Sequence, residues 1–117
     1  ERYKPDAGDM AAKARAIAAA KAGVAAMARA AAATYGASNV RINTVAPGLV
    51  ETDLTSRIWQ NERSADASRA MHPMGRLGKP EDIASMIAWL LAPENSWITG
   101  QDIAVDGGLS SIKSATR

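Results

Sequence analysis

The spacing of apolar residues changes character along this chain, and each change predicts an element. Residues 10–35 are dominated by Ala, the best helix former. Within them Met10, Ala14, Ile17, Lys21, Val24, Ala28, Ala31 and Tyr35 recur every three to four residues and form one helical stripe. Asp9 is placed to cap this helix, and Gly36 to end it as the C′ residue, with Ala37-Ser38-Asn39 completing a turn. Before it, residues 1–9 read as an irregular lead-in broken by Pro5 and Gly8. Gly23 inside the helix costs about 1 kcal/mol relative to Ala, a cost usually tied to close approach of another backbone.

Residues 40–45 are short and β-branched, and Pro47-Gly48 follows, so they predict a strand that ends abruptly. The stretch 49–74 is polar and weakly periodic. It has room for a turn or two of helix within 49–63 and another over 65–71, the character of a lid or binding loop. Pro80 at the first helical position, followed by Glu81 and Asp82, starts a second long helix. Ile83, Ile87, Leu90 and Leu91 give that helix an apolar face, and Pro93 stops it. After a bend at 97–100, residues 103–105 predict a second strand closed by Asp106-Gly107-Gly108, and a polar tail runs from 110 to 117.

The order is helix, strand, loop, helix, strand. Strand–helix–strand units of this kind form parallel pairs with a right-handed crossover, so the fold class is α/β. A parallel sheet needs cover on both faces, and two strands with two helices leave an edge and a face bare. Composition points the same way: there is no Phe, and a core of Ala, Val, Ile, Leu and Met carries little bulk per residue. Part of the packing is expected from outside this chain.

The formal net charge is +2, with Arg41, Arg57, Arg63, Arg69 and Arg76 spread over different predicted elements among acids. Nucleic-acid binding needs a clustered basic stripe, so that partner is not expected. The lack of Cys removes a disulfide framework and Cys-based metal sites, and Glu51, Glu62 and Asp66 form no carboxylate pair or metal pattern. No apolar run is expected to reach the ~20 residues that span a bilayer. The polar start from Glu1 to Pro5 does not read as a signal peptide. A soluble cytoplasmic protein with no membrane partner is the expectation.

Four blocks then carry a resemblance. Lys21-Ala22-Gly23-Val24 resembles the end of the Tyr-x-x-x-Lys-Ala-Gly signature of short-chain dehydrogenases/reductases. Val40-Arg41-Ile42-Asn43-Thr44-Val45-Ala46-Pro47-Gly48-Leu49-Val50-Glu51-Thr52 resembles the family's sixth strand and the turn after it. Gly75-Arg76-Leu77-Gly78-Lys79-Pro80-Glu81-Asp82-Ile83-Ala84 is similar to the start of its last core helix. Ile98-Thr99-Gly100-Gln101-Asp102-Ile103-Ala104-Val105-Asp106-Gly107-Gly108 is similar to its seventh strand. The blocks occur in the family's order and spacing. The resemblance implies an incomplete Rossmann-like, doubly wound parallel sheet: the last two strands, the long helix and the crossover helix. It places the carboxy-terminal half of the domain over residues 10–109, between the lead-in 1–9 and the tail 110–117.

The family transfers hydride between NAD or NADP and an alcohol or ketone. By resemblance Lys21 is the catalytic ammonium that lowers a phenol's pKa and holds the nicotinamide ribose. The remaining cofactor contacts fall on Pro47, Gly48, Val50 and Thr52: Gly48 lets the backbone approach the nicotinamide, Val50 offers main-chain bonds to its carboxamide, and Thr52 meets the carboxamide or pyrophosphate. Two departures bear on activity. Ile17 occupies the position of the family's catalytic Tyr, four residues before Lys21. No Gly-rich dinucleotide fingerprint occurs in the sequence.

Lys21 also reads without the family as a marginal residue whose ammonium snorkels to water, and Pro47-Gly48 as an ordinary strand-ending turn. His72, the only His, reads as surface decoration, and Trp89 as helix packing. Two accounts follow. One is an oxidoreductase half, inactive alone. The other is a non-catalytic module that forms a homo-oligomer or pairs with a complementary or full-length relative.

Overall fold

Two short strands are hydrogen-bonded side by side and run parallel, and every other element is arranged around their pairing. The computed structural model describes residues 6–115, so Tyr3, Pro5 and the last two residues of the tail lie outside the described residues. In chain order the elements are α1 (Ala7–Tyr35), β1 (Thr44–Pro47), α2 (Ser56–Trp59), α3 (Glu62–Met71), α4 (Pro80–Leu91) and β2 (Asp102–Val105), with 3-10 turns after α1 and α4.

Helix α1 starts three residues earlier than expected. Its N-cap is Asp6, whose side chain accepts from the Asp9 N–H, so Asp9 sits in the first turn and residues 7–9 are helical, not irregular. The far end is corrected too. Gly36 keeps right-handed helical angles and passes into a 3-10 turn, and the left-handed residue is Asn39, at φ 62°. Asn is the non-glycine residue that most readily takes that conformation.

Strand β1 is displaced toward the Pro-Gly turn relative to the expected 40–45, and side-chain bonds mix with backbone bonds where residues 41–43 meet residues 98–101. Ile42 N–H donates to the Thr99 hydroxyl, Gln101 N–H donates to the Asn43 side chain, and Arg41 and Asn43 both donate to the carbonyl of Ile98. The ladder then runs in register from Thr44 opposite Asp102 to Pro47 opposite Val105. Pro47 lacks an N–H, and a strand end tolerates that loss. A further parallel bridge joins Val50 to Gly78 and carries β1's direction past the turn.

Helix α4 begins as predicted, with Pro80 in the first turn. The Asp82 carboxylate accepts from the Lys79 N–H at 2.7 Å. In the polar stretch, Asn61 caps α3 by accepting from the Ser64 N–H.

Few side chains are shielded. Among the described residues the buried apolar ones are Ala32, Val50, Ala65, Leu77 and Leu90. The accessible surface is 8992 Å², against about 6,000 Å² for a folded monomer of 12.2 kDa. The radius of gyration is 17.2 Å, where about 13 Å suits a compact domain of this length. Most of the excess is α1, whose residues 7–24 are exposed on every side. Among the described residues outside its own turn of helix, nothing lies within 4 Å of a Cβ placed on Gly23, so no second backbone approaches it here.

The expectation that no run is apolar enough to span a bilayer is corrected. By length and composition the stretch Ala7–Ser38 qualifies, with a mean hydropathy of 1.3 in its best window. Many small Ala contributions produce that value. The stretch also carries Lys13, Arg15, Lys21 and Arg29, and a Lys or Arg at the centre of a membrane helix costs about 2.5–3.5 kcal/mol.

A core this thin concentrates its sensitivity. Leu90→Ala is expected to lower the free energy of urea unfolding by about 2–5 kcal/mol. Trp97→Ala, at a side chain 98% exposed, is expected to change it by less than about 0.5 kcal/mol. Equal losses at both positions would show that Trp97 is covered in solution.

Candidate functional site

Parallel pairing brings the carboxyl ends of β1 and β2 out on the same side, which is where ligands bind in open α/β sheets. Two loops emerge there, residues 48–52 after β1 and 106–108 after β2. Between them lies a cleft of about 140 Å³ bordered by Gly48, His72, Arg76, Asp82 and Asp106.

Gly48 is the tightest point. Its N–H donates to the Val105 carbonyl at 3.1 Å, closing the ladder. A Cβ built on it would lie 2.8 Å from His72 Nε2 and 3.0 Å from the Asp106 backbone. The side-chain space that glycine leaves open is therefore filled by this chain's own His72 and Asp106.

His72 corrects the expectation of a surface histidine. It is 4% exposed. Its Nε2 accepts from the Leu49 N–H at 3.2 Å, and its Nδ1 lies 2.7 Å from the Ser68 carbonyl. A carbonyl can only accept, so Nδ1 carries the proton and the ring is the neutral Nδ1–H tautomer. The residue lies immediately after α3, and Gly75 N–H donates to its carbonyl. Only the fold reveals this role. A lone His beside Pro73 in a polar stretch carries no periodic signal that would place it inside.

Beyond the turn, Val50 is held by its bridge to Gly78: Gly78 N–H donates to the Leu49 carbonyl, and Glu51 N–H to the Gly78 carbonyl. That geometry turns Val50's own N–H and C=O away from Gly78. The C=O accepts from the Thr55 hydroxyl. Among the described residues no acceptor meets the Val50 N–H.

Thr52 and Thr55 cap each other. Thr52 N–H donates to Thr55 Oγ1 at 3.0 Å, Thr55 N–H to Thr52 Oγ1 at 3.3 Å, and the hydroxyls lie 3.1 Å apart. Trp59 Nε1–H donates to the Thr52 carbonyl at 2.8 Å, fixing the indole over the turn.

On the β2 side, Asp106 accepts from the N–H groups of Gly108 at 3.0 Å and Ser110 at 3.1 Å. Bonding from the Ser110 side chain, and then from these backbone groups, holds its carboxyl below the usual carboxylate range against the opposing effect of burial. Gly107 and Gly108 both have positive φ, which lets the chain turn sharply after β2. Opposite them Arg76 makes a two-pronged ion pair with Asp82, at 2.8 and 3.2 Å, and also donates to the Leu77 carbonyl. Arg76, with the Lys79 N–H second, lowers the Asp82 pKa to about 2. Both motif blocks were visible in the sequence; this pair was not read from it, although a guanidinium six residues from a carboxylate at a helix start was the available signal.

The structure thus brings together Pro47, Gly48, Val50 and Thr52 of the predicted site. It does not bring Lys21 or Ile17 to them. Both lie on the exposed stretch of α1, and Ile17 is 56% exposed. Among the described residues no group of His, Asp and Glu is placed to hold a metal.

Residues 6–110 match the family model described as Enoyl-(Acyl carrier protein) reductase. The chain is similar to the 3-oxoacyl-(acyl-carrier-protein) reductase of Thermotoga maritima. The two are 45% identical over 92 residues, which cover 79% of this chain and 37% of that protein. Among solved structures, a 4-hydroxyisoleucine dehydrogenase complexed with NADH superposes with a TM-score of 0.78 at 28% identity, over 81% of this chain and 39% of that one. A short-chain type dehydrogenase/reductase from Mycobacterium ulcerans superposes with a TM-score of 0.73 at 39% identity, over 80% of this chain and 34% of that one. The chain therefore spans less than half the length of these relatives.

Two outcomes follow from the geometry. Gly48→Ala is expected to destabilise the fold by about 1–3 kcal/mol, because the new methyl group must displace His72 or the Asp106 backbone; thermal melting measures it. Asp82 has a lowered pKa, so its contribution to stability is complete above about pH 4 and is lost as pH falls toward about 2. Asp82→Asn should flatten that part of the pH–stability curve, and an unchanged acid limb would remove Asp82 from its cause.

Proposed function

The chain belongs to the short-chain dehydrogenase/reductase family, and from that membership we propose that it forms the nicotinamide-side wall of an NAD(P)-dependent oxidoreductase domain and has no hydride-transfer activity by itself. The observation that carries this reading is the Val50 main chain. Its N–H is a donor turned away from Gly78, just past the carboxyl end of a parallel strand, with no partner among the described residues.

The residues suit a nicotinamide in part. Val50 N–H would donate to the carboxamide, with Pro47 and Gly48 shaping the turn that presents it. Thr52 is less free, since its hydroxyl is engaged with Thr55 and would have to exchange that bond for one to a ligand. Gly48 supports the loop from within, because the space beside it belongs to His72 and Asp106. Lys21 would meet the ribose only if another surface brought α1 and the loop to one place. The coenzyme, when bound, supplies the hydride that adds to a carbonyl carbon.

The proton is the missing part. The carbonyl oxygen needs a donor as hydride arrives, and a phenol one turn from Lys21 would be acidified by that ammonium through the ordinary charge effect. Ile17 has no ionisable proton. Loss of general acid catalysis typically costs ~10²–10⁴-fold in rate, so the substitution at this position weighs against turnover independently of how much of the domain is assembled.

A second reading is favoured by exposed apolar side chains: Ile87 and Leu91 on one face of α4, Trp89 on another, and Trp97 beyond the helix. Large apolar side chains left open in this way can be covered by association with another surface. On this reading the chain pairs with itself or with a complementary or full-length relative, in a soluble cytoplasmic setting, and contributes packing without chemistry.

The test is a titration of the ¹⁵N-labelled chain with NADH and NADPH, together with a turnover assay on a panel of ketones. Amide shifts centred on residues 48–52, with affinity weaker than micromolar and no turnover, are expected. Ile17→Tyr alone is expected to restore none. Shifts that avoid the loop would overturn the assignment of the site, and reduction of any ketone by the unaccompanied chain would overturn its inactivity.

A further inference from the structure

We propose that His72 is a positioning residue: its neutral imidazole is the joint that fixes the loop after β1 and so sets the direction of the Val50 N–H. The inference deepens the reading of residues 48–52 as a nicotinamide-binding loop and rests on it for its functional meaning. The joint itself is a matter of geometry. His72 spans three parts of the fold with one ring. Nδ1–H reaches back to Ser68 in α3, Nε2 takes the Leu49 N–H, and the ring edge fills the space beside Gly48.

Immediately after it, Met74 N–H donates to the Gly107 carbonyl at 3.1 Å, so the same turn is tied to the loop that follows β2. The polar segment 52–71 is thereby fastened at both ends. The reciprocal Thr52–Thr55 cap holds its start, and His72 holds its finish. A shift of α3 must move the imidazole, and the imidazole cannot move without releasing Leu49, the residue next to Val50.

The requirement is chemically narrow. Leu49 needs an acceptor at the Nε2 position and Ser68 needs a donor at the Nδ1 position, which a single tautomer provides. An apolar ring of similar size fills the space but leaves a shielded N–H unpaired, a costly state. Gln at this position places a carbonyl oxygen near where Nε2 lies and should restore the acceptor. Rescue of that kind separates positioning from mere packing.

The experiment uses ¹⁵N spectra and amide hydrogen exchange of the full chain. In the native protein, His72 Nε2 should show the shift of an unprotonated ring nitrogen, and Nδ1 that of a protonated one. His72→Phe should speed exchange of the Leu49 amide by about tenfold, the effect of one lost hydrogen bond, while the Ile103 amide in β2 keeps its protection. His72→Gln should return most of the Leu49 protection. A native ring protonated on Nε2, or Leu49 exchange unchanged in His72→Phe, overturns the proposal. If His72→Phe unfolds the chain and Ile103 loses protection as well, the native tautomer and the Gln variant decide the matter. Absence of NADH-induced shifts in residues 48–52 would count against the nicotinamide reading and leave the His72–Leu49 measurement standing.

Discussion

Two parallel strands four residues long are a slender foundation, and everything at the site hangs from their register. Thr44 to Pro47 lie opposite Asp102 to Val105, and only this alignment puts Gly48 beside Asp106 and makes the post-strand loops neighbours. The ladder itself is too short to fix its register unaided. The polar residues that precede it supply the rest, with Arg41 and Asn43 converging on the Ile98 carbonyl and Thr99 and Asn43 receiving the N–H groups of Ile42 and Gln101. A slip by one residue would break these side-chain bonds together and would turn each side chain to the opposite face of the sheet. The Val-Arg-Ile-Asn and Ile-Thr-Gly-Gln-Asp blocks are thus two halves of one fastening.

At the other end the fastening continues through the Val50–Gly78 bridge into α4. The first turn of that helix is arranged by Asp82, which serves Arg76 and the Lys79 N–H at once. Leu77 and Leu90 lie under this region and are among the few buried side chains. The β-loop-helix-β unit accordingly holds most of the chain's order. Helix α1 is different in kind. Only Ala32, near its end, is buried, and a Cβ placed on Gly100 would meet the Ala32 methyl group at 3.7 Å. An Ala-rich helix has strong intrinsic propensity, yet most helical stability in proteins comes from packing of one face. The stripe of Met10, Ile17 and Val24 has no such packing within this chain.

These facts bear on chemistry through placement. In the proposed cofactor wall, Val50 is the loop's donor. Ile17 lies outside the cleft on the exposed stretch of α1; within the cleft, the His72 ring proton is directed to Ser68, and Ser110 and Gly108 hold the Asp106 carboxyl below the usual carboxylate range.

Much of this was legible along the chain. The helix of 10–35 followed from Ala content, α4 from Pro80 and its acidic first turn, the strands from β-branched runs that end in Gly, and the family from four ordered motifs. Each of these signals is local, carried by residues a few positions apart whose preferences add. Other features depended on distant groups meeting. The strand that begins at Thr44 was hidden because bonds between groups 55 to 58 residues apart precede it: the Thr99 hydroxyl takes the Ile42 N–H, and the Asn43 side chain bonds the backbone of Ile98 and Gln101. The burial of His72 was hidden for the same reason, since Leu49 and Gly48 are 23 and 24 positions removed. The sequence by itself determined which segments are helix and strand and that Ile17 stands four residues before Lys21. Only the tertiary structure decided that Val50 keeps a free N–H and that His72 holds the loop presenting it, because hydrogen-bond partners are allotted in space, after the chain has come together.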